Sequence, residues 1–499
     1  MGFMEIPDSI EKYRPSRQQL AVICSGIVSM GLEILAGRVL APDFGSTIYT
    51  WGSIIGISML ALSLGYHRGG KSAKKANENH LDNFLIYTAV YIVFLTVAAE
   101  QILTLTSALP IGARYAPLIP VTILFGPPTY FLGFISPYAV QLSKKENKGE
   151  ASGHFYALGT AGSIVGAFGT TYLLIPNFSV NMIYVMFTAL TLVPVLRGLK
   201  NPKTYLLPLL VVSGLFLSGS VSVPGNTVYE DSTAYQELRV GDEDGVRTLY
   251  LDGQPQSSMY LDNRTGYPWD YPRYFHLPFL MRDDIEKVLF IGGGGFSGPK
   301  QFAEENITVH AVELDPGVIK AAKEYFNVSE SEHLKIYNQD GRDFLQESNH
   351  TYDVVYMDAY RKSKVPFHLT TKEFMELTYR KTDENGVIFS NTISTSSGPG
   401  SDFSRSQYKT IGEVYPSTYY FPTSNTPLAQ NIEIIGSKNS KLSKQELKER
   451  NGNYTGMDLS NEIERLEDPD TEGLTVLTDD YAPVDTLLEP LIGQKYVVE

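Results

Sequence analysis

The 499-residue sequence predicts a two-part fold. An N-terminal multi-pass α-helical membrane bundle of about seven helices leads into a doubly wound α/β domain, with a small β-strand subdomain between them. Three observations carry this. The mean hydropathy of -0.10 hides a division near Val223. Before it, runs of about 20 mostly apolar residues follow one another, each long enough to cross a bilayer. From residue 286 onward, short apolar runs alternate with helical patterns, and acidic residues stand where the runs end. The boundaries read as 1–223 for the helical part, 224–285 for the β subdomain and 286–499 for the α/β domain.

The spans fall near 18–40, 47–66, 84–106, 117–142, 153–175, 179–196 and 204–223. The fifth carries Gly159, Gly162, Gly166 and Gly169, a small-residue stripe read as a packing face rather than a ligand site. Basic residues concentrate at alternate ends: Lys12, Arg14 and Arg17, then Arg68, Lys71, Lys74 and Lys75, then Lys144, Lys145 and Lys148, then Arg197, Lys200 and Lys203. Basic loops stay in the cytoplasm. The expected protein therefore sits in the cell membrane with its N-terminus cytoplasmic, and with seven spans its C-terminal domain is extracytoplasmic. Glu33 and Arg38 lie inside the first span, where an ionisable group calls for a partner or a function.

Charge separates the two parts. Residues 1–223 hold 15 Lys and Arg against 10 Asp and Glu, and the remainder holds 26 against 45. So acidic a domain repels phosphate backbones, which argues against a nucleic-acid partner. The bland reading is a solvated acidic surface. One cysteine, Cys24, rules out disulfides within the chain and cysteine-rich metal sites.

In the second part, Tyr229–Val240 and Val246–Leu251 read as strands about a turn from Gly241 to Gly245. Lys287–Ile291 is a buried strand that runs into Gly292, Gly293, Gly294 and Gly295. Thr308–Val312 ends at Glu313, Leu334–Tyr337 precedes Asp340-Gly341 and a helix, Asp353–Met357 ends at Asp358, and Gly386–Asn391 follows. Ligands of doubly wound sheets bind at the carboxyl ends of the strands, where these residues converge. Glycines let backbone approach a ligand before a helix N-terminus. A carboxylate ending the second strand suits a ribose diol, and one at the fourth can accept a proton or hold a cation. The Lys-Ser/Thr of a phosphate loop is missing, which argues against a nucleoside triphosphate.

These residues resemble the spermidine synthase family of aminopropyltransferases, in the form fused to a membrane domain. The resemblance rests on Ser232-Thr233-Ala234-Tyr235-Gln236, Leu251-Asp252-Gly253, His276-Leu277-Pro278, Val312-Glu313-Leu314-Asp315, Asp340-Gly341 and Asp358. It implies a Rossmann-like, methyltransferase-type fold and a place in polyamine biosynthesis. The co-substrate would be decarboxylated S-adenosylmethionine, or S-adenosylmethionine itself, with no metal. Gln236, Gly292, Gly293, Gly294, Glu313, Asp340 and Gly341 would hold the nucleoside, and Asp358 would be the general base. Tyr271, Gly295, Arg361 and Pro366 would fall on the substrate side.

The sequence departs from the family on that side. The aspartate of the family's Gly-Gly-Gly-Asp-Gly is Gly295, the second aspartate of Asp-x-x-Asp is Arg361, and Tyr-His-Glu falls on Asp270-Tyr271-Pro272. An ammonium left unpaired in a dry pocket is costly, so Asp262, Asp270 and Glu373 are candidates for replacement charge. Thr478 to Asp485 resembles a segment of membrane-fused and methyltransferase-like relatives, and reads either as acceptor-side lining or as an exposed acidic tail.

Three functions follow. The first is transfer of an aminopropyl group to a small-molecule amine or polyamine. The second is methyl transfer from S-adenosylmethionine to a membrane-associated acceptor, favoured by Gly295 because an aspartate there would repel the methionine carboxylate. The third is nucleoside binding without turnover, in a transporter or sensor. The expected partners are the amine or membrane-associated acceptor and the lipid bilayer, and a homo-oligomer is compatible with the sequence.

Overall fold

The computed structural model describes residues 15–45, 47–107, 109, 111, 114–143, 147–198, 226–262, 267–282, 284–359 and 365–491. It divides into two compact units, Met1–Pro224 and Gly225–Glu499.

The first unit is helical. Helix α1 (Arg17–Phe44) begins at a capping box in which the Ser16 side chain accepts from the Gln19 N–H and Gln19 reaches back to the Ser16 N–H. It is followed by α2 (Ile48–Ser72) and α3 (Glu78–Ser107). Then come α4 (Leu118–Leu124), α5 (Gly126–Leu132), α6 (Ile135–Leu142), α7 (Lys148–Gly169) and α8 (Val180–Gly198). Among the described residues, five helices are long and apolar enough to cross a membrane, and α4 to α6 make a sixth if they count as one span. The expected seventh, 204–223, lies outside the described residues.

The single span expected over 117–142 is instead bent by 47° after Leu124. Gly126-Pro127-Pro128 explains it, because consecutive prolines withdraw N–H donors and crowd the preceding turn. The glycine stripe divides. A Cβ at Gly162 or Gly166 would lie 2.4 or 2.3 Å from the Ile23 or Ile27 carbonyl of α1, so these two let the helices touch, whereas Gly169 faces open space. Arg17 pairs with Glu78 and Asp82 and donates to the Pro194 carbonyl, which gathers the start of α1, the start of α3 and the end of α8 at one end of the bundle.

The second unit holds two sheets. Strands β1 (Thr227–Ser232), β2 (Glu237–Glu243), β3 (Val246–Leu251) and β4 (Gln254–Tyr260) form an antiparallel meander. The segment read as one strand, Tyr229–Val240, is broken at Thr233–Gln236, where the Thr233 N–H donates to the Gln236 carbonyl. Its following turn is Asp244-Gly245 alone, with both residues at positive φ.

The larger sheet contains β5 (Lys287–Ile291), β6 (Thr308–Glu313), β7 (Leu334–Asn338), β8 (Tyr352–Met357), β9 (Thr382–Ser394), β10 (Ser417–Pro422) and β11 (Gln430–Ser437). Their order is β10-β11-β9-β8-β5-β6-β7. Strands β5 to β9 are parallel, while β11 pairs antiparallel with β9 and with β10. The doubly wound expectation thus holds for five strands, and the sheet is mixed. Strand order reverses between β5 and β8, and a crevice opens at such a switch point. Helices α9 (Ser297–Glu304), α10 (Pro316–Tyr325), α11 (Gly341–Glu347) and α12 (Lys372–Lys381) follow β5, β6, β7 and β8. Apolar clusters fill both faces of the sheet, including Phe290, Tyr356 and Phe389 on one and Leu289, Val355 and Ile388 on the other.

Candidate active site

One cavity lies at the switch point. Gln236, Tyr271, Gly292, Gly294, Glu313, Asp340, Gly341, Asp358 and Pro366 all line it, as do Trp269, His368, Asn391 and Asn431. Nine of the twelve candidate residues therefore share one space. Gly293 stands behind it, its N–H donating to Glu313 Oε2 at 2.8 Å. Gly295 lines a different cavity, together with Asp262 and Asp270. Arg361 lies outside the described residues.

The glycine turn is dictated by contact. Gly292 has φ +98, and a Cβ on it would lie 2.2 Å from the Asp358 carbonyl oxygen. The backbone closes this junction twice: the Asp358 N–H donates to the Ile291 carbonyl and the Gly292 N–H to that of Val312. At Gly295, a Cβ would lie 2.8 Å from Ser257 Cβ, and the Gly295 N–H donates to Ser257 Oγ. An aspartate side chain has no room there, so the departure from the family is built into the packing.

Glu313 ends β6 with both oxygens engaged, Oε2 by Gly293 and Oε1 by the Asp315 N–H at 2.8 Å. Asp315, buried, accepts from the Gly317 N–H, Thr233 Oγ1 and Gln236 Nε2. Gln236 is thereby held by its nitrogen, and its Oε1 is buried without a hydrogen-bond partner among the described residues. Asp340 caps α11, with Oδ1 accepting from the Arg342 and Asp343 N–H groups and Oδ2 3.0 Å from His368 Nε2. The His368 contact, more than any other, holds the Asp340 carboxyl below its ordinary range.

Asp358 follows β8. Burial pushes its carboxyl up to about 7; the Asn391 amide, donating to Oδ1 at 2.7 Å, opposes this, and the Glu313 charge adds to it. Asn391 Oδ1 in turn accepts from Asn431 Nδ2 at 2.8 Å. Glu433, paired across the strands with Asn391, is fully buried with neither carboxyl oxygen hydrogen-bonded among the described residues. Burial raises its carboxyl well above the ordinary range, and the charge of Asp358 adds to the shift.

Asp262 and Asp270 line the second cavity, and Glu373 accepts from the Asp479 N–H, so none of the proposed replacement charges lines the cavity of Asp358. His276 is buried against Tyr454 and Gln301. Its ring is pushed down to about 4 by burial, and it does not line the cavity. The segment from Thr478 to Asp485 is exposed at Asp479, Asp480 and Tyr481. It is anchored by buried Leu477 just ahead of it and by buried Val484, and Asp479 binds Arg342, two residues from Asp340. Sequence reading missed Asn431, which arrives on an antiparallel strand, and His368, which stands on a 3-10 turn; an isolated Asn or His carries no spacing signal.

A glycine turn, a carboxylate at the end of the second strand and a capped helix at the third make up the arrangement with which doubly wound domains hold nucleosides. The description "Spermine/spermidine synthase domain" matches residues 273–446. The chain is 25% identical over 302 residues to a probable polyamine aminopropyl transferase of Bifidobacterium longum, covering 54% of this chain and 64% of that protein. It is 30% identical over 181 residues to the polyamine aminopropyltransferase of Vibrio vulnificus, covering 34% and 60%. Less than two thirds of either relative is spanned. A probable spermidine synthase of Corynebacterium glutamicum superposes with a TM-score of 0.40 at 19% identity, covering 46% of this chain and 88% of that one. Residues 273–446 are thus similar to the spermine/spermidine synthase domain, the resemblance that the motifs lead one to expect.

Proposed function

We propose that the C-terminal unit is an aminopropyltransferase that uses decarboxylated S-adenosylmethionine and a small amine. The observation that carries this is the place of Asp358: a carboxyl raised to about 7, aimed by Asn391, in the same cavity as Glu313, Gln236 and Asp340. The amine nitrogen attacks the aminopropyl carbon bonded to the sulfonium. The carbon–sulfur bond breaks, methylthioadenosine leaves with the electron pair, and the nitrogen's proton passes to Asp358. A base titrating near neutrality suits this step. Glu313 serves the ribose, Gln236 and the turn at Gly292, Gly293 and Gly294 the thioether side, and Asp340 and Gly341 the base. Tyr271 and Pro366, which line the same cavity as Asp358, border the acceptor.

Methyl transfer is the second reading, favoured by the close packing of Gly295 on Ser257, which leaves no carboxylate there for an aminopropyl ammonium. Supplying purified protein with either sulfonium nucleoside and a panel of amines separates the two. The first reading expects methylthioadenosine, and S-adenosylhomocysteine as the sole product would replace it with the second.

The N-terminal unit, in this reading, is a membrane domain. Its outward faces carry Met59, Leu60, Phe94, Val97, Ile164, Val165 and Phe168, a surface suited to acyl chains. Counting the bent pair as one span gives six among the described residues, and with the apolar run 204–223 of the sequence as a seventh the C-terminal unit is extracytoplasmic. Reporter fusions at the C-terminus test this: activity only of a cytoplasmic reporter would require an even number of spans.

A further inference from the structure

The segment around Asp479 has no part in the transfer step and does not line the cavity, yet it is tied to two residues that do, Asp340 and His368, through Arg342. The Leu477 carbonyl accepts from the Lys372 N–H, and the Leu477 N–H donates to Thr410 Oγ1, which fixes the chain just ahead of it. The Asp479 carboxylate receives both terminal nitrogens of Arg342, at 2.8 and 2.6 Å, and the Thr371 hydroxyl at 2.6 Å. Arg342 also donates to the His368 carbonyl at 3.0 Å. His368 in turn meets Asp340 Oδ2, the oxygen that the helix cap leaves over. The four residues thus form a chain of contacts, Asp340 to His368 to Arg342 to Asp479, and the Arg342 N–H donates back to Asp340 Oδ1.

A cation in the first turn of a helix opposes the helix dipole and needs an external anion. Planar, two-point pairing with a carboxylate is the geometry in which a guanidinium is held best. We propose that Asp479 is a positioning residue for the nucleobase end of the cavity: by holding Arg342 away from Asp340, it leaves His368 as the specificity residue that shares Asp340 Oδ2 with the base. This rests on the nucleoside-binding reading of the same cavity. Besides Asp479, the carboxylates whose charges act on Arg342 are Glu373 and Asp340. A guanidinium on Asp340 covers the acceptor that an exocyclic amino group requires.

The distinguishing consequence is non-additivity. In full-length protein, Asp479→Asn is expected to weaken adenosine and methylthioadenosine binding about tenfold or more by calorimetry, with the melting temperature and kcat near wild type. Asp479→Glu retains affinity. Arg342→Gln combined with Asp479→Asn recovers most of it, because the intruding cation is gone, whereas a merely structural tie predicts that the double variant binds no better than the single. Wild-type affinity in Asp479→Asn, or no recovery in the double variant, overturns the proposal while leaving the transfer reading intact. Adenosine binding without transfer of any group by wild type overturns the transfer reading and leaves this one to the variants. Failure of wild type to bind either nucleoside overturns both.

Discussion

The two ends of the cavity are built in opposite ways. At one end, Glu313 accepts from two backbone N–H groups, and Asp340 accepts from two more and meets His368, the contact that holds its carboxyl below the ordinary range. At the acceptor end, Asp358 has one donor, Asn391, and a buried carboxyl, Glu433, across the neighbouring strands. Hydrogen bonds to the ionised form lower a carboxyl's proton affinity and burial raises it, so Asp340 is held below its ordinary range at one end while Asp358 is pushed up to about 7 at the other. The difference teaches that recognition and proton transfer are separated by how many donors the backbone supplies.

The largest effect expected from breaking this contrast is at Asp358. Asp358→Asn should lower kcat by about 10²–10⁴-fold, the range for removing a general base, measured as methylthioadenosine release. The same change should stabilise the fold at alkaline pH. A carboxyl at about 7 in the folded state against an ordinary 3.8 contributes stability that is complete below 3.8 and is lost as pH rises through 7. At about 1.4 kcal/mol per pH unit this amounts to ~4 kcal/mol at most. Melting curves at pH 4 and pH 8 read it, with the variant gaining on wild type only at the higher pH.

Asn391→Leu removes the one donor on Asp358. The base should then titrate above 7, moving the acid limb of kcat to higher pH and costing about tenfold at neutrality, on the order of the 1.5–3 kcal/mol typical of a charged hydrogen bond. Gly295→Asp tests whether the missing carboxylate was exchanged for packing. Overpacking against Ser257 should cost about 1–3 kcal/mol in denaturant unfolding without tightening the binding of decarboxylated S-adenosylmethionine. The smallest effect is at Glu433. Its raised carboxyl makes Glu433→Gln neutral at low pH and modestly stabilising at high pH, because the stability lost as a raised carboxyl ionises is then retained.

Much of the cavity was legible in the sequence because a parallel sheet writes its ligand edge locally. Each strand of the doubly wound part is an apolar run, and the residue after it faces the crevice, which is how Glu313 and Asp358 stand out. The Gly-Pro-Pro at 126–128 was equally readable as a break, although hydropathy alone passes over it. What stayed hidden depends on pairing between distant segments. Asn431 reaches Asn391 only because β11 runs antiparallel to β9 and so starts at the crevice where β9 ends. Asp479 reaches Arg342 across 137 positions of sequence, and the crowding of Gly295 comes from Ser257 on β4 of the smaller sheet. No periodicity encodes such contacts.

The central claim is that Asp358 receives the amine's proton. The most direct test is the pH dependence of kcat for methylthioadenosine release from decarboxylated S-adenosylmethionine at saturating amine, in wild type and in Asp358→Asn. The account predicts a rise to a plateau through about pH 7 in wild type, displaced upward in Asn391→Leu and absent in Asp358→Asn. A profile of the same shape and height in Asp358→Asn would contradict it.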